Sequence, residues 1–168
     1  MKYNGMILVL FFQHVEEAMF GIRNRQKKFA NVIDQRSIIL DEVFNQMVQI
    51  NYQISPENPD DELMRYAYGA SPPDWGTPWK GAKKLYLPFN VADNHWVAVC
   101  VNLEERHLKV FDCSVGATTK ANMDKAMKPI CKMIPVMLRQ SGQFEHIRDH
   151  LNAPWPYQRP KEVPQNKR

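Results

Sequence analysis

His95 and Asp112 are the two side chains in this sequence whose types and separation fit proton transfer. A carboxylate that accepts from one imidazole nitrogen fixes the tautomer and leaves the other nitrogen to take a proton from a nucleophile. Segments 95–103 and 107–113 are rich in β-branched and aromatic residues, and only Glu104 to Arg106 separate them, so an antiparallel hairpin is the economical connection. A loop of Glu104 and Glu105 alone sets Asp112 opposite Val97, on the face of His95 and one diagonal step away. A three-residue loop turns Asp112 to the other face, and Glu-Glu-Arg lacks the Asn-Gly or Asp-Gly signature that chooses between them. Spacing alone favours a plainer reading, a histidine in a turn and an aspartate that ends a strand.

The letters around the pair carry more than their spacing. Leu85 to Val101, with Asp93, Asn94, His95 and Trp96 at its centre, is followed by Lys109, Val110, Phe111, Asp112 and Cys113. These blocks resemble the His-Trp and Asp blocks of the ubiquitin-like-protein-specific (SUMO-type) cysteine proteases. The chain is similar in particular to the plant versions associated with transposable elements, in which a helix resembling His14 to Met19 with Ile22 to Arg25 comes first. The resemblance covers residues 14–168, most securely 84–116, and leaves 1–13 as an N-terminal extension. It implies an α+β, papain-like cysteine proteinase fold, present in part, with a central antiparallel sheet flanked by helices.

The same resemblance assigns roles. His95 becomes the general base, Asp112 its orienting acid, and Trp96 its packing neighbour and a wall of the tunnel that admits a Gly-Gly tail. Trp79, just ahead of the first strand of the sheet, reads from its position as a core or groove aromatic that covers the strand's end, and is grouped with Trp96 as substrate-binding. Val163, Pro164, Gln165 and Asn166 look like the approach to an Asp-Cys-Gly nucleophile motif, with Gln165 ranked ahead of Asn166 as the oxyanion donor. Arg168 comes before any Asp-Cys-Gly, so the domain is expected to be incomplete at that end and inactive as given. The implied partner is a SUMO-type modifier or its conjugates, with no cofactor, in the nucleus or cytoplasm. The alternatives are a non-catalytic modifier-binding remnant and a basic nucleic-acid-binding domain.

Several elements must position these residues. Val15, Ala18, Met19 and Ile22 recur at helical spacing over 14–25. Ile39, Val43, Met47 and Ile50 predict a second helix over 37–50, with Asp34 as its cap and Asp41 and Glu42 in an early turn. Between residues 54 and 84 a short helix sits in irregular chain, and 84–89 is the strand before the hairpin. The strand at 95–103 is apolar on both faces, Val97, Val99 and Val101 against Trp96, Ala98 and Cys100, which predicts a central strand covered on both sides. Met123, Met127, Ile130, Ile134 and Met137 predict a helix over 119–140 that Pro129 and Pro135 kink or shorten. The prolines at 154, 156, 160 and 164 hold the tail extended.

Composition bounds the rest. At 168 residues and 44% apolar, the chain is long enough for one domain with its own core. The net charge of +4 is spread along the chain without a stripe of basic and aromatic residues, which makes nucleic acid an unlikely partner. The apolar run from Met6 to Phe12 is too short to span a bilayer and reads as a buried strand or the first turns of a helix. Three cysteines, Cys100, Cys113 and Cys131, form no CxxC pair and each reads as a small core residue. His146 and His150 share a helical face but have no third ligand nearby, so no metal site is expected.

Overall fold

The computed structural model describes residues 4–92, 95–142 and 153–166. Four helices, α1 (Asn4–Lys28), α2 (Glu42–Ile54), α3 (Asp61–Tyr68) and α4 (Lys120–Gln140), surround five strands. The strands are β1 (Ser37–Ile39), β2 (Lys84–Val91), β3 (His95–Asn102), β4 (His107–Phe111) and β5 (Tyr157–Gln158). They form one sheet in the order β1-β2-β3-β4-β5. The central β2-β3-β4 meander is antiparallel, as expected, but both flanking strands pair in parallel, β1 on β2 and β5 on β4.

The second predicted helix starts later than its spacing suggests. Ser37, Ile38 and Ile39 pair with Lys84, Leu85 and Tyr86, and Leu40 N–H donates to the Tyr86 carbonyl at 2.8 Å. Adjacent β-branched residues fit a pleated ribbon, and the ladder outweighs a helical periodicity that was available to them. The cap of α2 is therefore Asp41, whose carboxylate accepts from Phe44 N–H at 2.9 Å and from the Tyr66 hydroxyl at 2.8 Å. Asp34 instead binds the main chain and guanidinium of Arg36. The apolar run at residues 6–12 falls in the first turns of α1, which continues without a break past position 14.

One face of the sheet carries the core. Phe44 and Val48 of α2, Leu63 of α3, and Met127, Ile130 and Met137 of α4 enclose Leu85, Leu87, Val99, Val101 and Val110. Trp79 is fully enclosed here, its ring 5.9 Å from Phe44 in an edge-on arrangement. Of its two readings, core and groove, it takes the core, and it presents no surface to a substrate, which corrects its grouping with Trp96 as substrate-binding. The chain reaches this packing through Gly69, which ends α3 at φ +75°; a Cβ there would overlap Pro78.

β3 is central in the sheet, as expected, and Cys100 on its second face is buried, but the two faces are covered unequally. Val97, Val99 and Val101 are buried, while Trp96 is half-buried and Ala98 is exposed beneath α1. Val15, Met19 and Ile22 of α1 border a groove of about 760 Å³ against Trp96, Phe111 and Cys113.

Both prolines of α4 lie inside a helix that runs unbroken from Lys120 to Gln140. Pro135 has no N–H to give the carbonyl four residues back, and that carbonyl, Cys131 O, accepts from Trp155 N–H at 2.9 Å instead. The lost helical bond is thus replaced by one that seats the tail, and β5 follows two residues later. Truncation of Trp79 to Ala empties the centre of this core. It is expected to lower unfolding free energy by about 3–5 kcal/mol, read from the denaturation midpoint at unchanged slope.

Candidate active site

The β3-β4 connection settles which face Asp112 takes. Asn102 pairs with His107, and Leu103 to Arg106 form the loop. The Asn102 side chain accepts from the N–H groups of Glu104 and Glu105 at 3.1 and 3.0 Å, and Arg106 turns the chain back at φ +56°. The resulting register pairs Ala98 with Phe111. One step beyond, Asp112 comes level with Val97 on the face of His95, the register of the two-residue alternative.

His95 opens β3 opposite Val91, the last residue of β2, and Asp112 follows the last residue of β4, so both stand at one end of the sheet. They are 7% and 2% exposed. His95 Nε2 and Asp112 Oδ1 are 2.9 Å apart. With the carboxylate ionised, Nε2 carries the hydrogen and donates it, and Nδ1 is the nitrogen left to accept a proton.

Asp112 is held by more than the histidine. Its Oδ1 also accepts from Ser114 N–H at 2.8 Å, and its Oδ2 accepts from Arg159 Nη2. Burial alone would raise this carboxyl, but the Ser114 N–H, the Arg159 guanidinium and the His95 ring outweigh it and hold it below the ordinary carboxylate value. The group therefore stays an anion wherever the imidazole can act as a base.

Arg159 was missed by sequence reasoning. Its only local signal is a position between two prolines in an extended tail, and nothing in the letters says which strand that tail joins. The tail reaches the site because Trp155 is seated on α4, Leu108 N–H donates to Pro156 O at 2.9 Å, and Tyr157 and Gln158 pair with Leu108 and Lys109.

Gln165 and Asn166 also come to the Asp112 turn. The Gln165 carboxamide donates to Asp112 O at 2.8 Å and to Val163 O at 3.0 Å, and accepts from Val115 N–H at 2.9 Å. It is a clamp on the turn that carries Asp112, and an oxyanion would have to exchange with one of these main-chain bonds. Asn166 N–H donates to Cys113 O at 2.7 Å, and its side chain lies 3.4 Å from Cys113 Sγ.

None of the three thiols shares a place with the imidazole. Cys113 alternates away from Asp112 and is exposed, not a core residue, lining the groove under α1 with Trp96. Cys100 is buried on that same side of β3, beside Tyr86, and Cys131 is buried in α4. Burial pushes the Cys131 thiol up to about 12. Trp96 faces the groove, on the side of the sheet away from His95. His146 and His150 lie outside the described residues, and no cluster of three metal-ligating side chains occurs among those described.

This architecture occurs in solved structures. The chain is similar to the SUMO protease Ulp1 with its catalytic cysteine oxidised to a sulfenic acid, at 13% identity and a TM-score of 0.53, covering 80% of this chain and 51% of that one. It is similar also to the C-terminal Ulp1 protease domain in complex with Smt3, the yeast orthologue of SUMO, at 12% identity and a TM-score of 0.52, covering 80% and 50%. The chain thus spans about half the length of the structures it matches. No curated protein matches it. The family model of the Ulp1 protease C-terminal catalytic domain matches residues 14–168, and that span contains every residue of the site described above. With the fold agreeing, the chain belongs to the Ulp1 protease family, whose members are cysteine peptidases.

Proposed function

We propose that this chain supplies the acid-base half of a cysteine peptidase acting on the C-terminal tail of a SUMO-type modifier, in the nucleus or cytoplasm. The observation that carries the reading is the buried His95–Asp112 pair at 2.9 Å within the family-matched span. In such a reaction His95 Nδ1 takes the thiol proton as sulfur attacks the tail carbonyl. It then returns that proton to the departing amine, leaving an acyl-enzyme for water to hydrolyse. Asp112 stays ionised throughout and holds the ring in its productive tautomer. The modifier is inferred from Smt3, the SUMO orthologue bound to a structural relative.

The sulfur of that reaction is none of Cys100, Cys113 and Cys131, because two lie on the far side of β3 and β4 and the third is sealed in α4. A thiol buried to that degree has almost no thiolate near neutral pH. The same observation supports a second reading, in which this chain by itself binds a modifier without cleaving it.

Two measurements test these statements. A fluorogenic SUMO-type tail is expected to be released no faster with the purified chain than without it, and Cys113→Ser should change nothing. Release that is abolished by Cys113→Ser or Cys131→Ser would refute the assignment. Alkylation at neutral pH should modify Cys113 alone in the native chain, and all three cysteines once the chain is unfolded. Rapid native modification of Cys131 would show that α4 does not seal it.

A further inference from the structure

We propose that Arg159 is the positioning residue of the His95–Asp112 pair, taking one carboxylate oxygen of Asp112 so that the other remains on the imidazole. The inference deepens the peptidase reading and rests on it for its functional meaning. Its geometry stands independently.

A carboxylate has two oxygens and a rotatable bond, and an imidazole needs only one of them. Asp112 Oδ1 serves His95 Nε2 and Ser114 N–H, and these two donors alone would leave Oδ2 buried and unsatisfied. An unpaired anionic oxygen in a site that is 2% exposed carries a desolvation cost, relieved either by protonation or by rotation away from the ring. Arg159 removes both escapes. Its Nη2 donates to Oδ2 and also to Val115 O at 3.1 Å, so the guanidinium is anchored to the turn that carries the carboxylate.

The anchoring comes at a local cost. Arg159 Nε is buried without a hydrogen-bond partner among the described residues. Turning outward would satisfy that N–H but would forfeit the bonds to Asp112 and Val115, and these hold the guanidinium where it is. Lysine could supply the charge, but as a compact, strongly hydrated ammonium in place of the weakly hydrated guanidinium that suits a buried pair.

The groups facing the Asp112 carboxylate are His95 from β3, Ser114 N–H from its own turn, and Arg159 from the tail after β5. Because its folded value is depressed, Asp112 contributes stability above the unfolded carboxylate range, near pH ~3.9, and that contribution is lost as pH falls through the folded value. Without Arg159, burial opposes only Ser114 and His95, and the loss must begin at higher pH.

The experiment is a pH titration of the Asp112 carboxyl carbon by NMR, in the full chain and in Arg159→Gln and Arg159→Lys. The expected result is a midpoint in Arg159→Gln about one to two pH units above that of the parent chain, with Arg159→Lys in between. A folded Arg159→Gln chain whose Asp112 titrates where the parent does would overturn the proposal. Should Arg159→Gln fail to fold, the double variant Arg159→Gln/Asp112→Asn decides, because it removes the stranded charge. Recovery of folding supports the proposal, and an equally unfolded double variant refutes it. None of these readouts requires peptide cleavage, so the proposal can fail while the peptidase reading stands, and the reverse.

Discussion

Everything at the His95 end of the sheet turns on the carboxylate of Asp112. It is nearly sealed from solvent, yet it is ionised, because three donors from three parts of the chain converge on it: an imidazole, a main-chain N–H and a guanidinium. A buried charge is tolerated only when its partners are in place. The strand register, the Asn102 turn and the course of the tail are therefore all constrained by one pair of oxygens. If any of the three is lost, the carboxyl is driven towards protonation, and a neutral acid no longer holds the imidazole in the tautomer that proton transfer needs.

The tail is the least obvious part of that arrangement. It reaches the sheet because α4 contains a proline where an N–H would otherwise bind the Cys131 carbonyl, and that carbonyl receives Trp155 instead. From that bond the chain runs as β5 along β4, brings Arg159 beneath Asp112, and returns with Gln165 to clamp the turn from 112 to 115. A residue that looks like a helix breaker in the sequence thus acts here as a docking point for the segment that completes the acid.

The sheet has two different sides. The side of His95 and Asp112 is continuous with the core under α2 and α4, which gives the pair a rigid foundation and a low local dielectric. The other side carries Trp96, Phe111 and Cys113 and borders the groove beneath α1. A residue at an odd or an even position along β3 therefore has a different environment and a different use, which is why the adjacent His95 and Trp96 serve separate surfaces.

The sequence by itself determined the elements with strong periodicity: the three central strands, the long helix at 120–140 and the helix at the start of the chain. It also determined that His95 and Asp112 were the residues to pair, because the blocks around them carry a family pattern. It did not determine the start of α2, since Ser37 to Ile39 fit a strand or a helix and only the ladder with β2 chooses between them. Nor could it decide the face of Asp112, because side chains alternate with a period of two and one loop residue more or less inverts the strand. Trp79 in the core, Cys113 at the surface and Arg159 on the carboxylate were decided by the tertiary structure alone. Each depends on a partner more than 30 residues distant or on the cover of a sheet face, and local spacing carries no information about either.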